Sequence, residues 1–258
     1  MKFISLRWLA VAVAALTVTH SFAECSRPLK VGWEHWPPYQ YVDKDRELIG
    51  LDVELLLAVA EEANCTIHFF ELPWKRHLRQ IEHGDIDLAM GASYDAARAE
   101  YAYFSEPIRK ERVSLITLKE NAEKHQISSL ADIRDKNLNL GVTLGYYYGE
   151  EFKSLMLEPD FKARVDELHT DQLNFIKLFR DRLDAMLVDP VSIPDQLANL
   201  QESKAVAVLF DVYSADVHLM FSKSSLDQKT VEHFNKALDR VKASGTYDKI
   251  MDRYLKLN

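Results

Sequence analysis

Short apolar runs alternate with amphipathic stretches along this chain, and that alternation limits the folds the chain can adopt. Residues 29–33, 66–70 and 86–90 have the length and apolar content of strands, whereas 50–63 and 74–83 have helical periodicity. Because two strands joined by a crossover helix run parallel, this order predicts a parallel sheet with flanking helices, which is an α/β fold.

The same unit recurs in the middle of the chain. A helix, a short turn, an Asp and an apolar strand make up residues 77–90 and again residues 175–189. Two copies predict two similar lobes rather than a solenoid. The segment 108–119 alternates like a long strand, and we expect the chain to cross between the lobes near 109–117 and 209–217. Ligands of such folds bind at the carboxyl ends of strands, in the crevice between lobes.

Two crossings would make the first lobe discontinuous. The interpretation assigns residues 24–112 and 213–258 to the first lobe and residues 113–212 to the second.

Residues 1–23 resemble a secretory signal peptide. Lys2 and Arg7 precede a ten-residue apolar run, and small residues, Ser21 and Ala23, stand where cleavage needs them. The run is about half as long as a bilayer span requires, and an uncleaved membrane anchor is the alternative interpretation. We therefore expect export to the periplasm, with cleavage after Ala23.

Composition and motifs narrow the function classes. The formal net charge is −8 and no Lys/Arg cluster is present, which argues against a nucleic-acid partner. The sequence lacks the G-x-S-x-G, H-E-x-x-H and phosphate-loop motifs. It therefore predicts no catalytic residue, cofactor or metal ligand, and we expect a monomer that binds a small molecule.

Two cysteines follow the predicted cleavage site, Cys25 and Cys65. An even pair in an oxidising compartment predicts one disulfide. In the chain-entropy view a loop of this size is worth roughly 4 kcal/mol. Two buried free thiols are the alternative.

Aromatic rings cluster near the first strand. Trp36 lies on the loop 32–41, which a Pro-Pro pair stiffens. A ring on a stiff loop at the carboxyl end of a strand suits an apolar or cationic ligand body. We expect Trp36 in the site and Trp33 in the core, and Trp74 fits either place.

A polar segment follows the third predicted strand. Gly91 and Ser93 are small, so backbone N–H groups there can approach an anion, and Ser93 adds a hydroxyl group. Arg98 can pair with a carboxylate through two parallel hydrogen bonds. The alternative is a surface arginine paired with Glu100 or Asp95.

The second copy offers further candidates. Asp189 ends its strand, where a carboxylate can meet an ammonium group, although an Asp-Pro pair also starts turns. Gly145, Tyr146 and Tyr147 open a helix predicted over 146–156, whose free N–H groups attract anions. Half-buried packing of the two tyrosines is the alternative.

In their order along the chain, these segments resemble the family 3 extracellular solute-binding proteins, the polar amino-acid receptors of ABC importers. The resemblance covers almost all of the chain after residue 23. The matching segments are VGWEHWPPYQY (31–41), LIGLDVELLLAVAEEANC (48–65), HGDIDLAMGASYDAARAEYAYFSEPI (83–108), RLDAMLVD (182–189) and ALDRVKASGTYDKIMDRYL (237–255).

The resemblance implies a type II periplasmic binding protein that closes on a small polar or zwitterionic solute and passes it to an ABC transporter permease. It implies that Arg98 binds the ligand α-carboxylate, with help from Ser93 and the backbone near Gly91. It also implies that Asp189 receives the α-amino group.

For the ligand side chain, the resemblance places Trp36 as an aromatic lid. Trp74 is a candidate from its own context alone, because the segment PWKR (73–76) departs from the family pattern. Glu34 falls near an acid that some members direct at cationic side chains, and Tyr146 and Tyr147 replace threonines. Two other functions stay open on the same fold. One is a cyclohexadienyl dehydratase-like enzyme, with Glu34 as its general acid. The other is an extracytoplasmic sensor.

Overall fold

The structure is a computed structural model that describes residues 25–255. The predicted signal peptide, residues 1–23, lies outside the described residues. Within them, no helix combines the length and the apolar character that crossing a membrane requires.

The strands are β1 (Leu29–Trp33), β2 (Tyr41–Val42), β3 (Leu48–Ile49), β4 (Ile67–Glu71), β5 (Leu88–Ser93), β6 (Ala102–Phe104), β7 (Arg109–Leu118), β8 (Leu140–Thr143), β9 (Val165–Leu168), β10 (Ala185–Val188) and β11 (Val206–Ser222). The helices are α1 (Leu51–Glu62), α2 (Trp74–His83), α3 (Ala96–Tyr101), α4 (Lys119–His125), α5 (Ala131–Asp135), α6 (Gly149–Leu155), α7 (Pro159–Lys162), α8 (Asp171–Phe179), α9 (Ile193–Leu200), α10 (Gln228–Ala243) and α11 (Thr246–Leu255), and a short 3-10 helix spans Pro190–Ser192.

The main sheet has the strand order β4-β1-β5-β11-β7-β10-β8-β9, with β6 beside β11. β1 runs parallel to β4 and β5, and β8 runs parallel to β9 and β10. These two parallel groups, with the helices packed on them, are here called the first and the second lobe. The α/β prediction and the parallel βαβ order are confirmed.

Two long antiparallel strands, β7 and β11, connect the lobes. They pair from Val217 opposite Arg109 to Val206 opposite Leu118. β11 also pairs with β5 of the first lobe, and β7 pairs with β10 of the second. The two segments expected to cross between the lobes, near 109–117 and 209–217, lie within these strands. The assignment of whole ranges of the chain to each lobe stays a prediction.

Each lobe buries side chains on both faces of its sheet, because successive strand residues point to opposite sides. On β5, Leu88 and Met90 belong to the core that includes residues of α1 and α10. Ala89 belongs to the core on the other face, with Trp74 of α2. Helices on both faces explain why these strands read as continuous apolar runs.

The second lobe is built in the same way. Leu115 and Leu187 pack in one core with Phe161. Ile116 and Phe175 pack in another.

The helix predicted over 146–156 begins three residues late, and that prediction was wrong at its start. Gly145 has a φ of 86° and Gly149 a φ of 90°, both in the left-handed region. Two such residues end one turn and start the next, so Tyr146 and Tyr147 lie in a loop before α6.

The cysteine pair forms the predicted disulfide. Cys25 and Cys65 are bonded, with their Cα atoms 5.3 Å apart. The bond ties the segment before β1 to the turn that follows α1.

A buried ion pair joins α1 to the start of β7. Asp52 accepts hydrogen bonds from Nε and Nη2 of Arg109, at 2.7 and 2.9 Å, and both side chains are almost fully buried. The guanidinium carbon lies 3.8 Å from the ring centre of Tyr39 and 5.3 Å from that of Trp36. A Cβ at Gly91 would lie 2.6 Å from Asp52 Oδ2, so this position requires glycine.

Replacement Asp52→Asn should destabilise the protein by about 3–5 kcal/mol, because Arg109 would remain buried without its counter-charge. Urea denaturation measures the change. The control is Glu61→Gln, an exposed acid on the same helix, which should change stability by no more than about 0.5 kcal/mol. Equal stabilities of the two variants would show that the pair contributes nothing.

Candidate functional site

A cavity lies between the lobes, near the carboxyl ends of β1 and β5. All the predicted ligand-binding residues except Asp189 line it, together with some that the sequence analysis did not select. The lining residues are Glu34, Trp36, Gln40, Trp74, Met90, Gly91, Ser93, Arg98, Glu111, Val113, Tyr146 and Tyr147.

The space in the cavity for the centres of water molecules is about 30 Å³. This is room for roughly two or three waters, so a solute as large as an amino acid enters only if the walls move apart.

Arg98 lies on α3 and is only 6% exposed, so it is not the surface arginine of the alternative interpretation. Its Nη1 donates to the carbonyl oxygen of Ser93 at 2.9 Å. Its Nη2 donates to the carbonyl oxygen of Gly145, in the second lobe, at 2.9 Å. Arg98 also lies over the ring of Trp74, at 5.6 Å. Within residues 25–255 it forms no salt bridge, so its charge has no hydrogen-bonded acid.

Asp189 is buried directly after β10 and does not line the cavity. Its Oδ1 accepts from the backbone N–H of Val191 at 2.9 Å, as expected of an Asp that starts a turn. Its Oδ2 accepts from the hydroxyl group of Tyr39 at 2.7 Å, across the two lobes. Burial raises the pKa of Asp189, and Arg109 opposes that shift.

Glu34 joins the lobes from the loop that follows β1. One carboxylate oxygen accepts from the hydroxyl group of Tyr146 in the second lobe, and the other accepts from the backbone N–H of Trp74 at 2.9 Å. Burial raises the pKa of Glu34 to about 7, although both hydrogen bonds act in the opposite direction. The carboxyl group therefore holds a proton for part of the time at neutral pH.

Both predicted tryptophans contribute to the cavity wall. Trp36 and Trp74 are 6% and 8% exposed, and each meets the ring of Tyr146 edge-on, at 6.1 and 6.2 Å. The indole N–H of Trp74 donates to the Gly145 carbonyl at 3.1 Å. Trp33 packs in the first-lobe core, as expected.

The other predicted tyrosine is turned partly away from the cavity. The hydroxyl group of Tyr147 donates to Glu150 on α6 at 2.7 Å, and its ring lies against Tyr213. Packing therefore accounts for much of its position.

The sequence did not point to Gln40, Met90, Glu111 and Val113 of the cavity wall, nor to Tyr39, which donates to Asp189. Tyr39 belongs to the Trp36 loop, but nothing in its sequence context signals a partner on the other lobe. Glu111 lies in a segment interpreted only as a crossing strand. It is 7% exposed, and its Oε2 accepts from the hydroxyl group of Ser93 at 2.9 Å. Glu111 stands between Lys110 and Arg112, which are both exposed, so its sequence context gave no signal that its side chain is buried.

Comparison with known proteins now defines the class. Residues 29–257 match the bacterial extracellular solute-binding proteins, family 3. The chain belongs to this family, and the resemblance found in the sequence is confirmed.

Proteins of similar sequence or structure have names that fit this family. A probable histidine-binding protein of Neisseria gonorrhoeae is 26% identical, covering 96% of this chain and 95% of that protein. The structure of an ancestral arginine-binding protein bound to arginine has a TM-score of 0.77 and 24% identity, covering 88% of this chain and 98% of that one. The ancestral amino-acid-binding protein AncCDT-1, described as a precursor of cyclohexadienyl dehydratase, has a TM-score of 0.70 and 23% identity, covering 88% and 94%. Both of these ancestral proteins have the same fold as this chain.

Replacement Glu34→Gln should flatten the dependence of stability on pH. The pKa of Glu34 is about 7 in the folded protein, against an ordinary value of 4.5. Between these values the folded protein holds a proton that the unfolded chain has released. The stability contributed by Glu34 is therefore complete below pH 4.5 and is lost as the pH rises through 7. From pH 5 to pH 8 the wild type should lose about 2 kcal/mol more unfolding free energy than the variant, measured by urea denaturation.

The matched control is Glu47→Gln, which replaces an exposed acid of the same lobe and should keep the wild-type pH dependence. If the unfolding free energy of Glu34→Gln fell with pH as steeply as that of the wild type, the burial of the Glu34 carboxyl group would be contradicted.

Proposed function

We propose that the protein is a periplasmic substrate-binding protein that captures a small zwitterionic solute, an amino acid, by lobe closure and delivers it to an ABC importer. One observation carries this proposal. Arg98 is a buried guanidinium on the wall of an interlobe cavity, and its hydrogen bonds go to main-chain carbonyls instead of an acid. A buried charge without a counter-charge is costly, and a ligand carboxylate would supply that counter-charge.

The guanidinium has the donors that this role needs. Arginine carries five N–H donors in a planar fork, and Arg98 uses two of them in the hydrogen bonds described above. Its remaining N–H groups can bind a carboxylate through charge-assisted hydrogen bonds. The bond to Gly145 crosses the lobes, so opening the cleft also frees this donor for the solute.

Closure follows from contacts that cross the cleft. Tyr39 donates to Asp189, Tyr146 donates to Glu34, and Gly145 accepts from both Trp74 and Arg98. A solute that touches both lobes binds the closed arrangement better than the open one and therefore shifts the equilibrium toward closure.

Other findings support the ligand class and the location. Similar proteins are named for histidine and arginine binding. The sequence pattern of residues 1–23 supports export to the periplasm, and family membership supports a permease as the partner. We expect the protein to act as a monomer.

Replacement Arg98→Ala should weaken binding of the amino acid that a thermal-shift screen identifies. The loss should be about 30-fold or more, as for the removal of one partner of a buried charged pair. Isothermal titration calorimetry measures it.

Circular dichroism shows whether the variant folds, and Arg98→Lys provides a second test, since it keeps the charge but loses the planar fork. The control is Arg79→Ala, which removes an exposed arginine of α2 that does not line the cavity. Unchanged affinity in folded Arg98→Ala would refute the proposal.

A dehydratase-like enzyme is the second candidate, and Glu34 is the observation that favours it, since its pKa of about 7 suits a proton donor in a cleft. We expect no such activity. Incubation with prephenate or arogenate at mildly acidic pH should change the ultraviolet absorbance no faster than the same incubation in buffer alone. Formation of an aromatic product that the Glu34→Gln variant fails to make would establish the enzyme instead.

A further inference from the structure

Glu111 and Arg98 are neighbours through a single residue of the cavity wall. Nη1 of Arg98 donates to the main-chain carbonyl of Ser93, and the hydroxyl group of Ser93 donates to Oε2 of Glu111, each at 2.9 Å. A cation and an acid are thus placed side by side. The α-carboxylate and α-ammonium groups of an amino acid are attached to the same carbon. The side chains that bind them must therefore lie close to one another.

Glu111 also has a carboxylate oxygen to offer. Its Oε2 accepts the Ser93 hydrogen bond, whereas its Oε1 has no hydrogen-bond partner among residues 25–255. Burial raises the pKa of Glu111 to about 7, against the lowering effect of Arg109 and Arg98. At neutral pH the carboxyl group is therefore ionised for part of the time, and a bound ammonium group would favour the ionised form.

The other charged groups nearby already have partners. Arg109 binds Asp52 through two hydrogen bonds. Both oxygens of Glu34 accept hydrogen bonds. Both oxygens of Asp189 accept hydrogen bonds as well, and that side chain does not line the cavity.

We propose that Glu111 receives the α-ammonium group of the solute whose α-carboxylate Arg98 binds. The inference rests on the proposed function and deepens it, since it names a second ligand-contacting residue. It also differs from the role that the family resemblance gives to Asp189. In this structure the carboxylate of Asp189 accepts a hydrogen bond from Tyr39, and Asp189 does not line the cavity.

The test compares a solute with versions of itself that lack one charge. The probes are the standard amino acid that raises the melting temperature of the full chain most, and its α-deaminated counterpart, which keeps the carboxylate but has no ammonium group. Glu111→Gln should weaken binding of the amino acid roughly tenfold or more, the value of one charge-assisted hydrogen bond. It should change the dissociation constant of the deaminated probe by less than about threefold.

Three further variants complete the experiment. Arg98→Ala should weaken both probes. Glu106→Gln, an exposed acid in the turn before β7, should weaken neither. Glu111→Asp, which keeps the charge on a shorter side chain, should preserve part of the preference for the amino acid over the deaminated probe. Glutamine keeps an oxygen that can accept from Ser93, so the principal variant should fold, and circular dichroism checks this.

The outcomes separate the two proposals. If Glu111→Gln weakens both probes equally or neither, the inference is overturned. If the selective loss appears in Asp189→Asn instead, the inference is likewise overturned while the proposed function stands. If Arg98→Ala leaves both affinities unchanged, or the wild type binds none of the amino acids, the proposed function fails and this inference fails with it.

Discussion

The ion pair between Asp52 and Arg109 is the interaction on which the arrangement of the cleft depends. It joins the first turn of α1 to the start of β7. The guanidinium carbon of Arg109 also packs against the ring of Tyr39, 3.8 Å from the ring centre. Gly91 is required beside it because a side chain there would strike the carboxylate. The pair therefore fixes the loop that carries Trp36, the end of β5 and the base of the crossing strand relative to one another.

The two buried arginines of the cleft, Arg98 and Arg109, have different hydrogen-bond partners. Arg109 forms a salt bridge with Asp52, and this pair stabilises the fold. Among residues 25–255, the hydrogen bonds of Arg98 go to main-chain carbonyls and to no acid. A carbonyl dipole stabilises a cation less than a carboxylate does, and this difference supports the proposal that Arg98 binds the ligand carboxylate. Identical side chains at similar burial acquire distinct roles from their partners alone.

Much of the fold could be predicted from the sequence, because the strands and helices follow apolar periodicity. β1 and α2 have the predicted bounds, and Gly84 ends α2 in a left-handed conformation. Most of the cavity wall could also be predicted, since residues at the carboxyl ends of parallel strands converge. The prediction failed at α6, where two left-handed glycines delay the helix, and at Glu111 and Tyr39. Which way a buried strand residue faces, and which group meets it across a gap, depends on tertiary packing that periodicity does not encode.

The paired strands β7 and β11 have a mechanical consequence for opening. They are bonded to one another over most of their shared length and not joined by two loose tethers. A hydrogen-bonded ribbon resists being stretched or sheared, because either distortion breaks backbone bonds, but it bends and twists at little cost. Bending and twisting of the ribbon would therefore rotate one lobe relative to the other, whereas sliding one lobe past the other would break backbone hydrogen bonds between β7 and β11.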